Sequence, residues 1–297
     1  VLDRASTFAD PEIVELLKTR FVPVAIDQAY QRRQQDAEGE FYRKIAGQGP
    51  RNNFQSTTQG LYIATADGKL LSYNNNRGAT RIKRLMREAL ESAQANKSKV
   101  PAVAAGQLDP RYNPKPPEGG LVVRVQAKVL GGYEKTDDTW RSIFQSALSR
   151  DNLWISSSEH QALLRGEIPA TLQQRIARYH LVDNTRGEPP MWRENEVREL
   201  NMTLNNGRLS GRVRLQTDRG DRGYEAELLG RLEVKDGKVV RFDCVALGDF
   251  WGAGPFTGGA PKGKFPLGVS FTLADGADVA DRVPPQASRG WVQGYIR

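Results

Sequence analysis

Apolar positions recur along this chain with two periods, and the change of period divides it. Near the start, Ile13, Leu16, Leu17 and Phe21 fall at helical spacing. Asp10 stands before them as a natural N-cap, with Pro11 just inside the helix. The β-branched run 21–26 then predicts a buried strand. Residues 28–56 are polar and rich in Gln and Arg, with a short helix expected over 36–45. Residues 61–64 and 69–73 predict two strands around an Asp67-Gly68 turn. Ile82, Leu85, Met86, Ala89 and Leu90 then draw one apolar stripe along a helix over 80–95.

Residues 96–120 break both periods. Pro101, Pro110, Pro114, Pro116 and Pro117 precede Gly119-Gly120, a composition that favours extended, semi-rigid chain. This predicts a linker over 96–118 between domains at 1–95 and 119–297. Beyond it, 121–130 alternates as a strand. A helix over 139–149 is capped by Asp138 or Thr139, and a short strand follows at 153–155. Ser157 or Ser158 caps a helix reaching Leu164, and Pro169 at the first helical position opens another reaching His180. Residues 183–195 read as a Pro-rich loop. From residue 197 the period becomes two. Strands over 198–204, 209–217, 224–234 and 239–247 form an antiparallel meander, and 265–273 adds a fifth. Asn206-Gly207 and Asp236-Gly237 are the preferred two-residue hairpin turns. The expected fold class is α+β.

Composition narrows the function more than the fold. No apolar run approaches the roughly 18 residues that a membrane span needs, so no transmembrane segment is expected. The formal charge is +8, but residues 1–98 and 99–297 carry +4 each. No basic arm stands out, and nucleic acid is not the expected partner. A single cysteine, Cys244, excludes an intrachain disulfide and a dithiol centre within these residues. In strict alternation it shares a face with Phe242 and Ala246, which predicts a buried, inert thiol.

The opening residues carry a resemblance. Phe8, Asp10-Pro11-Glu12, Leu16-Leu17 and Phe21-Val22-Pro23-Val24, ending at Asp27, resemble the segment after the redox motif of secreted, extracytoplasmic thioredoxin-like domains. The resemblance implies a thioredoxin-like α/β fold for residues 1–95. It also implies a C-x-x-C at or just before residue 1, and a cis-proline near Gln59, in a loop including Thr58. Neither the cysteines nor that proline is in this sequence, so the domain is expected to be redox-inactive. The chain begins with Val, so a preceding segment is expected to have been removed, and cysteines could lie within it.

Other chemistry is sparse. His160 and His180 are the only histidines and share no metal-ligand spacing; with Glu159 and Asp183 near them they form a weak candidate metal site, beside the plainer reading that both lie on helix surfaces or ends. The glycines of 252–263 lack the final hydroxyl of a phosphate-binding loop, and no cofactor is expected. Phe250, Trp251 and Phe256, with Trp192 and Trp291 from other loops, form the candidate binding surface, or else cover the open end of the sheet. The expected function is a non-catalytic, extracytoplasmic (periplasmic or secreted) binding or scaffold protein with a protein partner. The alternatives are a thiol-disulfide oxidoreductase with upstream cysteines, or a metal-binding protein using the histidines.

Overall fold

The computed structural model describes residues 2–95, 107–289 and 291–296. The chain divides into two compact units, Ser6–Pro114 and Lys115–Arg297, the latter joined by Val1–Ala5. The short helix α1 (Leu2–Ala5) therefore belongs to the second unit, where it packs on α6 (Thr139–Ser146) and Arg4 donates to the Leu148 carbonyl at 2.8 Å.

In the first unit, α2 (Pro11–Arg20) starts where expected: the Asp10 carboxylate accepts from the amides of Glu12 and Ile13 at 3.0 and 3.2 Å. The same carboxylate pairs with Lys83 at 3.1 Å. Then come α3 (Gln28–Gln31) and α4 (Ala37–Ala46), capped by Asp27 and Asp36. An antiparallel hairpin follows, β1 (Leu61–Ala64) with β2 (Leu70–Asn74), and α5 (Ala79–Ala95) closes the unit. The core is small. Ile13, Ile82 and Met86 are fully enclosed, with Phe8, Leu16, Leu17, Phe21, Leu61 and Ile63 partly buried against them.

Two expectations for this unit fail. Residues 21–26 form no strand: they pair with no other described segment, and Val22 and Val24 are 89% and 73% exposed. A β-branched run becomes a buried strand only where a ladder and an apolar layer are supplied. The linker is also shorter at its far end than its prolines suggest. Residues 96–106 lie outside the described residues, but Asp109 is folded onto the first unit, accepting from the Gln35 amide at 3.0 Å and donating its own amide to Asp36 at 2.5 Å.

The second unit is built on one curled, seven-stranded antiparallel sheet of order β4-β3-β9-β8-β7-β6-β5. Its strands are β3 (Leu121–Val129), β4 (Asp151–Ile155), β5 (Val197–Asn205), β6 (Arg208–Gln216), β7 (Gly223–Lys235), β8 (Lys238–Trp251) and β9 (Lys264–Leu273). The two hairpin turns carry the expected left-handed backbone, φ 51° and 76° at Asn206-Gly207 and 51° and 71° at Asp236-Gly237. Val213, Leu215, Tyr224, Phe242, Phe265 and Phe271 point to the concave face. Cys244 joins them, 2% exposed, and burial pushes its thiol up to about 12. The opposite face shows Glu227, Leu229, Arg231 and Val245 to solvent.

Helices fill the concave side. The cap of α7 (Ser157–Leu164) is Ser156 rather than Ser157 or Ser158, in a reciprocal capping box with Glu159. Pro169 caps α8 (Ala170–Arg175) rather than opening it, and α8 runs on into a π-helical turn, Ile176–His180. That turn touches both edge strands, β4 and β5. The C-terminal helix α9 (Val292–Ile296) sets Tyr295 into the same core.

Candidate functional site in the second unit

The π turn positions the site. Its extra residue shows in the bond from the Leu181 amide to the Ile176 carbonyl, 3.1 Å; such bulges sit disproportionately at functional places. It turns His180 inward while Arg178 and Tyr179 stay half-exposed. His180, expected on a helix surface or end, is thus 2% exposed. Its Nε2 lies 2.6 Å from the Tyr295 hydroxyl. Its Nδ1 lies 3.2 Å from the Asp151 carboxylate, outside hydrogen-bonding angle. Asp151 in turn accepts from the amides of Asn152 and Gln286, both at 2.9 Å.

A buried ion pair runs alongside. Arg175 pairs with Glu159, and both are at most 4% exposed. Arg175 also donates to the Tyr295 carbonyl at 3.0 Å, and its guanidinium lies 5.2 Å from the Tyr295 ring centre. Thr171 donates to the other Glu159 oxygen at 2.9 Å. An Asp-His-Tyr chain has the composition of a proton relay, but this one is sealed. Tyr295 is 1% exposed and burial raises its phenol well above its ordinary value. The chain holds α9 and the π turn against the sheet.

Above these groups α8 and α9 leave an open groove of about 480 Å³. Trp291 and Tyr179 meet edge to face on its wall, 6.0 Å between ring centres. Trp291 is 45% exposed and spends its indole N–H on the Ala287 carbonyl at 2.8 Å, so what it offers is a ring surface. Gly294 permits that pose: a Cβ there would stand 2.3 Å from the Trp291 ring. Gln174, Arg178 and Glu194 add polar groups to the rim. Arg178 lies over the Tyr179 ring at 5.2 Å and donates to the Trp192 carbonyl at 3.3 Å.

The other expected binding aromatics do not assemble around this groove. Trp192 and Phe250 are core, 1% and 2% exposed, with ring centres 6.3 Å apart. The Trp192 indole donates to the Leu181 carbonyl at 2.8 Å and Arg222 stacks on its ring at 3.9 Å. Trp251 packs against Gly223 under Lys264, and Phe256 is 76% exposed. The nearby glycine loop is pinned rather than open, because buried Arg186, paired with Asp183, donates to the Thr257 carbonyl.

The metal reading gains no ligand set among the described residues. His160 Nδ1 lies 2.8 Å from the Gly119 carbonyl and His180 is enclosed as above. Among the described residues no three His, Cys, Asp or Glu side chains form a group able to hold a metal. In the first unit, the Thr58-Gln59 loop is held by tyrosines: Thr58 is fully buried, 2.5 Å from the Tyr42 hydroxyl, while Tyr62 donates to its carbonyl at 2.6 Å and Tyr73 to that of Gln59 at 2.9 Å. Among the described residues no peptide bond is cis and no helix is long and apolar enough to cross a membrane.

Sequence reading picked Trp291 but missed Tyr179, Arg178 and Gln174. The usable signal was the spacing of Trp291 and Gly294, a ring and the gap that admits it. Comparison of the chain with family models, with curated proteins and with solved structures finds no match.

Proposed function

We propose that the protein is a non-catalytic, extracytoplasmic binding or scaffold protein that holds a protein partner in the groove between α8 and α9. One observation carries this reading: the groove presents an exposed aromatic corner, Trp291 on Tyr179, while the ionisable groups beneath it are spent on the fold. Half-exposed aromatics beside Arg and Gln suit recognition, where a few rigid anchors supply most of the binding energy. The sole thiol is enclosed in β8 and held protonated, which supports binding over thiol exchange by these residues. The extracytoplasmic assignment is supported by the resemblance of residues 8–27.

The test combines two measurements. Affinity capture from a periplasmic or secreted extract should recover a partner with the intact chain and lose it with Trp291→Ala, at unchanged circular dichroism. Insulin reduction by the same chain with dithiothreitol should not exceed the reductant alone. A partner retained by Trp291→Ala discards the groove, and dithiol-dependent turnover discards the non-catalytic reading.

A further inference from the structure

The groove between α8 and α9 is lined by two polar atoms that have no partner among the described residues. Arg175, 2% exposed, spends its other nitrogens on Glu159 and the Tyr295 carbonyl, and its Nε is left over. The Oε1 of Gln174, the preceding residue, is buried and unpartnered as well. Both side chains line the groove. An enclosed donor and an enclosed acceptor without partners cost stability, and a ligand that supplies both missing bonds recovers it. Beside them stands the exposed ring of Trp291, whose own N–H is spent on Ala287. Charge asks for a neutral occupant: Glu159 neutralises Arg175, and the rim carries one residue of each sign, Arg178 and Glu194.

We propose that the groove takes an uncharged X-Pro step of an extended peptide, an assignment that rests on the groove being the partner site. The main chain of X is the matching group, an N–H for Gln174 Oε1 and a C=O for Arg175 Nε. In extended backbone those two groups of one residue point to the same side, and a following proline holds X extended. The pyrrolidine ring is then the flat apolar surface that lies on Trp291, as prolines do in aromatic-lined grooves. Proline also lowers the ordering cost of binding, because its φ is fixed before the peptide docks. A run of prolines alone fits less well, since without an N–H it leaves Gln174 Oε1 unmet.

Isothermal titration of the whole chain with capped peptides of equal length tests this: alternating Ala-Pro, alternating Ala-Gly, and polyproline. Ala-Pro should bind saturably at up to millimolar peptide and about tenfold or more tightly than the other two, which lack the ring or the N–H. Trp291→Ala should remove the binding. Gln174→Leu, at a half-exposed position, should bring Ala-Pro down to the level of polyproline, and both variants should keep the circular dichroism of the intact chain. No binding of Ala-Pro overturns the proposal. Equal binding of Ala-Gly or polyproline, or a Gln174→Leu protein that still prefers Ala-Pro to polyproline, overturns it as well. If Ala-Pro fails while partner capture still depends on Trp291, the groove stands as the partner site and the peptide class falls. If Ala-Pro binds while Trp291→Ala retains the captured partner, the peptide site stands and that partner lies elsewhere.

Discussion

Single residues in this protein do their work by being enclosed. Tyr295 and His180 satisfy each other across 2.6 Å inside the second unit. Tyr295→Phe should therefore cost about 1–3 kcal/mol in thermal or urea unfolding, the penalty of a buried polar atom left alone. Cys244 should resist a thiol reagent in the native state and react once the protein is denatured, because burial both hides it and keeps it protonated. Asp109 is the clearest acid-sensitive group. Its bond to Arg111, helped by the amides of Gln35 and Arg111, lowers its pKa to about 2. A depressed folded value means the stabilisation is complete above the unfolded pKa, near 3.9, and is lost as pH falls towards 2. Asp109→Asn should reduce the loss of first-unit structure between those values, followed by circular dichroism.

At the scale of elements, the α7 start shows two roles resting on one side chain. Glu159 closes the capping box with Ser156 and also neutralises buried Arg175. Ser156→Ala should cost about 1 kcal/mol, as a lost cap does. Glu159→Ala should cost about 3–5 kcal/mol, because it leaves a guanidinium buried without its counter-charge. Equal losses in chemical denaturation would mean that the ion pair contributes nothing beyond the cap. The elements also show what local pattern can specify. The hairpins at Asn206-Gly207 and Asp236-Gly237 form because positive φ at both turn residues is a local property of those residue types. The π turn was not legible, since its extra residue is held from outside α8, by Tyr295 from the far end of the chain and Asp151 from β4.

For the whole molecule, the unequal cores have a measurable consequence. The first unit fully buries Ile13, Ile82 and Met86 in its apolar cluster, whereas the second encloses a large set of aromatics and aliphatics between sheet and helices. All five tryptophans lie in the second unit. On heating, far-ultraviolet circular dichroism should begin to fall before tryptophan fluorescence changes, as the smaller core yields first. Superimposable transitions would mean instead that the two units melt as one.

What the sequence determined alone was local and periodic: the Asp10-Pro11 helix start, the α5 stripe, the five meander strands with their turns, and the inward face of Cys244. Each follows from backbone preference or from a repeat that any apolar layer would select. Tertiary structure decided which apolar groups were spent and which were left. It sent Trp192 and Phe250 into the core and His180 inward, left Trp291 on a groove and the 22–26 run exposed, and folded Asp109 back from the linker. Burial is settled by partners distant in sequence, and a side chain's own neighbours along the chain carry no record of them.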